Sequence, residues 1–170
     1  MFYKTICSSP VGVITLASDG DNLVGLWLDG QKYHGGTITA EMTAKDDLPL
    51  FDTVKKWLLK YFNGKQPAIE ELPLSPIGGI FRQSVWNILR GIPYGTVITY
   101  GEIAKIIAAK ANQKSMSSQA VGGAVGHNPI SIIIPCHRVV GANGDLTGYA
   151  GGIAVKEKLL VLEGARNMDT

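Results

Sequence analysis

Apolar and polar positions alternate through Val13, Ile14, Thr15, Leu16 and Ala17, stop at Asp19-Gly-Asp-Asn22, and resume over Leu23 to Leu28. Alternation interrupted by turn formers predicts antiparallel strands, a hairpin or meander over residues 2 to 30. From Gln31 to Leu48 the pattern weakens, and Gly35-Gly36 with the mixed run Thr37 to Asp47 fits a short strand or a loop equally. The period then changes. Leu50, Val54, Trp57, Leu58 and Tyr61 recur at helical spacing with Lys55, Lys56 and Lys60 on the other face, which predicts a helix over 52–62 closed by Asn63-Gly64. Pro67, Pro73 and Pro76 predict an ordered connector over 65–79, and a domain boundary falls there, giving domains 1–75 and 76–170.

The second half is denser in helix signals. Phe81, Val85, Ile88 and Leu89 form the stripe of a helix over 80–90, closed by Gly91-Ile-Pro-Tyr-Gly95. Thr99-Tyr-Gly-Glu102 reads as a capping box that opens a helix through Ala108, with Ile103, Ile106 and Ile107 inward. After a polar turn, Ser117 or Ser118 caps a helix containing Gln119 to Val125, and the pair reads as a helix-turn-helix. Ala120, Gly122, Gly123, Ala124 and Gly126 leave that helix nearly bare, at about 1 kcal/mol per interior Gly. Something approaches this backbone closely, either another protein element or the sugars of a DNA minor groove. Beyond Asn128-Pro129, the run Ile130 to Ile134 reads as a buried strand leading into Pro135-Cys136-His137-Arg138.

Composition narrows the class only modestly. The 170 residues are 45% hydrophobic and 18% charged, with 21 Gly and 8 Pro, which fits a folded globular chain and excludes a coiled coil or a collagen repeat. Sixteen basic against fourteen acidic residues leave +2, which neither requires nor forbids a polyanionic partner. Two cysteines, Cys7 and Cys136, are too few for a disulfide framework or a thiolate-rich zinc site, and no metal set emerges. No leader pattern or membrane span is present, so a cytoplasmic setting is expected.

Cys136 at a strand end is a candidate nucleophile, because a rigid element holds the sulfur while His137 beside it offers a proton acceptor. A buried, inert cysteine is the competing reading. Glu163, near the end of the next helix, is placed to orient the imidazole if that helix folds back, and this gives a Cys136-His137-Glu163 relay. Neighbouring side chains rarely meet in line, so the proton passes through a water. A soft thiolate suits attack on saturated carbon, whereas acyl transfer also needs donors for an oxyanion.

Ile134-Pro-Cys-His-Arg-Val139 resembles the O6-alkylguanine-DNA alkyltransferase family, the methylated-DNA-protein-cysteine methyltransferases. Further motifs extend the resemblance over almost the whole chain: Ser9-Pro-Val-Gly12, Phe81-Arg-Gln-Ser-Val-Trp86, Ile92 to Gly101, Ala120 to Ala124, Gly126-His-Asn-Pro129, Gly148-Tyr-Ala-Gly-Gly152 and Lys156 to Gly164. It implies an α/β N-terminal domain with an antiparallel sheet, followed by a mainly helical, winged-helix-like C-terminal domain with the helix-turn-helix. It further implies minor-groove binding to double-stranded DNA, extrusion of the damaged base, and irreversible transfer of the alkyl group from O6-alkylguanine, and from O4-alkylthymine, to the protein. The implied protein is a cytoplasmic monomer without cofactor or metal.

By that resemblance Cys136 is the acceptor, His137 the water-linked base, Glu163 its orienting acid, Tyr100 a donor at the edge of the base pocket, and Asn128 a brace at the turn before the active site. Val139, Tyr149 and Ala150 correspond to the pocket wall, and Gln119, Ala120, Gly123 and Ala124 to the DNA face. Gln119 stands where the family commonly has an arginine, and lacks its charge and stacking plane. Ala150 stands where some relatives carry a hydroxyl, so a donor to the substrate oxygen must come from backbone or another group. Arg138 is expected to fix the reactive loop by a salt bridge, Lys156 and Lys158 to form a solvated face, Cys7 to be non-catalytic and His34 to lie on a surface loop. A sensor that binds alkylated bases without repair, and a cysteine hydrolase or acyltransferase, are the alternatives.

Overall fold

The computed structural model describes residues 1–36, 38 and 40–166, and these divide into two compact units. Thr37 and Thr39, part of the segment that reads as strand or loop, lie outside the described residues.

The first unit holds Met1–Ile77 together with Pro129–Ile133. Its sheet has the order β3-β2-β1-β4, with β1 (Phe2–Cys7), β2 (Ile14–Ser18) and β3 (Leu23–Leu28) antiparallel and β4 (Met42–Ala44) parallel to β1. The meander is as the alternation predicts, and the undecided stretch contributes the short β4. All six residues of β3 are buried, so both of its faces are covered. On one of them Ala17, Val24 and Trp27 cluster against Phe2, Ile38 and Met42. The Trp27 indole lies over Gly25, where a Cβ would collide with the ring.

The outer edge of β3 is also occupied. Leu23 exchanges backbone hydrogen bonds with Pro73 and Ser75 at 2.8 Å each, and Leu26 receives from Ser131 N at 3.1 Å and donates to Pro129 O at 2.8 Å. An open edge is thereby removed. Helix α1 (Pro49–Phe62) starts three residues earlier than the periodicity predicts, with proline in its first turn, and buries Phe51, Val54, Trp57, Leu58 and Tyr61. The Trp57 indole donates to Ala68 O at 2.9 Å and so ties down the proline-rich connector.

The second unit holds Gly78–Asn128 and Ile134–Thr170. Helices α2 (Ile80–Arg90), α3 (Tyr100–Lys110) and α4 (Ser118–Gly126) pack on one another, and the Trp86 indole donates to Ala124 O at 2.9 Å. Strands β5 (Ile98–Thr99) and β6 (Val139–Val140) form a parallel pair, and α5 (Ile153–Leu162) completes the unit. The caps follow the sequence: Thr99 Oγ1 accepts from Glu102 N and Ser117 Oγ from Ala120 N, both at 3.1 Å. Ile106 does not face inward. It is 37% exposed, because the small residues Ala104 and Ala108 join Ile103 and Ile107 in a stripe at i, i+1, i+4, i+5.

Candidate active site around Cys136

The predicted strand over Ile130 to Ile134 is not formed. Ile130 makes one isolated bridge to Leu26, and the residues after it turn, although all five are buried. Ile132 takes φ 72°, rare for a β-branched residue, and Ile133 N donates to Ser131 O at 2.8 Å. Pro135 (φ −81°, ψ 65°) then forms an inverse γ-turn, with Cys136 N donating to Ile134 O at 2.8 Å. Cys136 therefore opens a single 3-10 turn, Cys136–Arg138, rather than ending a strand. The buried Asn128 secures this arrangement, its Nδ2 donating to Ile134 O at 2.8 Å. That bond brackets the excursion of the intervening residues.

Behind Cys136, which is 4% exposed, lies a buried polar network. His137 Nε2 and Glu163 Oε2 are 2.6 Å apart with both side chains wholly shielded. Arg138 grips the same carboxylate through Nε to Oε1 at 2.7 Å and a second nitrogen to Oε2 at 3.1 Å. Its remaining amino group donates to Ile92 O at 2.6 Å, and its guanidinium lies 5.6 Å from the Tyr94 ring centre. The salt bridge expected of Arg138 is present. Gly95 N donates to Glu163 Oε1 at 3.4 Å.

Because Arg138 already neutralises the Glu163 carboxylate, the imidazole has no need to be charged. Burial pushes the His137 pKa below its ordinary value, against the upward pull of Glu163. A neutral imidazole facing a carboxylate donates from Nε2, which leaves Nδ1 as the lone-pair nitrogen. Among the described residues Nδ1 has no hydrogen-bond partner.

Tyr100 opens α3 beside this turn. Its hydroxyl donates to Thr147 O at 3.1 Å and Gly148 O at 3.4 Å. Burial raises its pKa, the Thr147 bond opposes this, and negative charge on Cys136 adds to the rise, so the phenol stays protonated as a donor. Tyr149 and Ala150 follow on the same segment and are half-buried. Val139 is wholly buried in β6, paired with Ile98, and backs the site from inside.

On α4, Gln119, Ala120 and Gly123 are exposed, and a Cβ at Gly123 would meet nothing within 4 Å. Ala124 does not belong to that exposed face. It is 3% exposed and sits with Val121 and Val125 on the inward stripe. The close approach implied by the bare helix occurs at Gly122, where a Cβ would touch the Tyr100 ring at 3.9 Å.

Lys156 is the residue the sequence reading missed. Expected on a solvated face, it is wholly buried and donates to Thr147 O at 3.0 Å. The signal was its spacing from Leu159, Leu160 and Glu163, which places it on the buried stripe of α5. Neither Cys7 nor Cys136 is in a disulfide, His34 is exposed, and among the described residues no cluster could hold a metal ion. No helix among them is long and apolar enough to cross a membrane.

Two family models match the chain: the 6-O-methylguanine DNA methyltransferase ribonuclease-like domain over residues 1–76, and the DNA binding domain of the same family over residues 80–165. A relative from Haemophilus influenzae, named methylated-DNA--protein-cysteine methyltransferase, is 42% identical over 95% of this chain and 86% of its own length. One of the same name from Methanosarcina acetivorans is 44% identical over 96% of this chain and 99% of its own. Among solved structures, Mycobacterium tuberculosis OGT in complex with DNA superposes with a TM-score of 0.80 at 41% identity, covering 96% of this chain and 92% of that one.

Proposed function

Because the chain belongs to the 6-O-methylguanine DNA methyltransferase family, we propose that it repairs duplex DNA by moving the alkyl group of O6-alkylguanine, and of O4-alkylthymine, onto Cys136. The observation that carries this reading is the buried His137–Glu163 pair, 2.6 Å apart, with His137 next to Cys136 in the same 3-10 turn.

The chemistry follows from that pair. The Cys136 thiol gives its proton, through a water, to Nδ1 of neutral His137, and the Glu163 carboxylate, held in place by Arg138, stabilises the imidazolium that forms. The sulfur attacks the alkyl carbon, the S–C bond forms as the C–O6 bond breaks, and the proton returns to the purine so that intact guanine leaves. The product is a thioether with no easy hydrolytic exit, so each molecule acts once and needs no cofactor.

The protein binds double-stranded DNA through the minor groove of the duplex. Helices α3 and α4 act as the helix-turn-helix of a winged-helix-like domain with the β5–β6 pair, and the exposed Gln119, Ala120 and Gly123 form its smooth face. The lesion rotates out of the stack into a site bounded by Tyr100, Tyr149 and Ala150. In this reading residues 76–170 bind and react, residues 1–75 support them, and the protein works as a cytoplasmic monomer.

Intact-protein mass spectrometry after mixing with an O6-methylguanine duplex tests the proposal. The expected result is one persistent methyl increment, absent in Cys136→Ser. Binding without an increment identifies a sensor, and a labile adduct with repeated turnover identifies a hydrolase; either rejects the proposal.

A further inference from the structure

Lys156 presents a physical problem that the transfer chemistry does not use. A wholly buried ammonium is costly unless it is paired, yet among the described residues no carboxylate lies within salt-bridge distance of it. Its bond goes instead to the Thr147 carbonyl at 3.0 Å, the same oxygen that accepts from the Tyr100 hydroxyl at 3.1 Å. Nζ also lies 5.9 Å from the Tyr100 ring centre. Side chains from α3 and α5 thus converge on one backbone oxygen of the segment between β6 and α5.

That segment carries Tyr149 and Ala150, and three of its glycines are in the left-handed region, Gly144 at φ 80°, Gly148 at φ 51° and Gly152 at φ 100°. Glycine gives such a segment little stiffness of its own. The two donors at Thr147 supply it. We propose that Lys156 is a positioning residue for alkyl transfer: with Tyr100 it pins the Thr147 carbonyl and so holds the Tyr149–Ala150 segment in place for the extruded base. The inference rests on the reading of Cys136 as the alkyl acceptor.

The tie also responds to the nucleophile. Titratable groups near Lys156 include Tyr100 of α3 and Cys136 and His137 of the 3-10 turn. Burial pulls the lysine pKa down from 10.5 to about 8, and negative charge on Cys136 pulls it back up. The segment is therefore gripped most firmly when the sulfur is ionised. By reciprocity the ammonium favours the thiolate.

Single-turnover transfer at saturating O6-methylguanine duplex, from about pH 6 to about pH 10, tests this in wild type, Lys156→Met and Lys156→Arg. The wild-type rate is expected to fall as pH rises through about 8, where the ammonium loses its proton. Lys156→Met should bind duplex as wild type does, transfer about tenfold more slowly at neutral pH, and lack that fall. Lys156→Arg, charged throughout, should recover rate and hold it at high pH. A Lys156→Met rate equal to wild type, or lower by one factor at every pH, overturns the proposal. So does a wild-type profile flat across pH 8, which needs no variant to fold. Absence of any methyl increment on the wild-type protein refutes the transfer reading itself, and is scored separately.

Discussion

At the scale of the residue, Glu163 is shared among a guanidinium, an imidazole and a backbone amide. The sharing leaves His137 neutral, because the negative charge is already matched by Arg138. Its consequence for stability has a definite sign. The His137 pKa is lower folded than unfolded, so below the unfolded value of about 6.5 the unfolded chain binds the extra proton and stability drops with pH. Denaturant unfolding at successive pH values should show a loss approaching about 1.4 kcal/mol per pH unit just below that point, above the carboxylate range. His137→Asn should flatten that slope; an unchanged slope would place the acid sensitivity elsewhere. The pairing of His137 with Glu163 was legible from helix spacing. The burial of Lys156 was not, because a lysine on an otherwise apolar stripe more often reaches out to solvent than ends inside.

At the scale of the element, α4 separates two demands on one short helix. Its inward stripe, Val121, Ala124 and Val125, packs the domain, while Gly123 looks into open space. Gly123→Ala should therefore stabilise the protein by about 0.5–1 kcal/mol, since the new methyl meets nothing and the unfolded chain loses freedom. Gly123→Leu, whose Cβ likewise meets nothing within 4 Å, should weaken duplex binding by at least about tenfold if this face presses on the groove. Thermal unfolding and a binding titration on both variants check this; unchanged affinity in the leucine variant removes α4 from the DNA face. The helices were legible from period and caps. The run Ile130 to Ile134 was not, because five buried apolar residues look alike whether they lie in a strand or fold through consecutive turns, and periodicity carries no information about φ at Ile132.

At the scale of the whole molecule, sequence order and compact units do not coincide. The first unit includes Pro129–Ile133, and the backbone of Leu26 depends on that segment for both its donor and its acceptor. A fragment comprising residues 1–77 keeps the Pro73 and Ser75 bonds to Leu23 but lacks the partners of Leu26, and so exposes the edge of β3 there. It should lose at least about 2 kcal/mol relative to the same unit in the full chain, visible as a broadened or missing cooperative transition in urea. A sharp transition at the full-chain midpoint would contradict this. The proline-rich connector marked where the chain changes character, but no local pattern announces that residues far downstream return to β3, since such pairing is encoded in neither partner alone. The returning segment also limits how genes of this kind can be shuffled. A single crossover near residue 77 between two relatives pairs one parent's β3 with the other parent's five-residue insert, so viable chimeras should be those in which that insert travels with the first half.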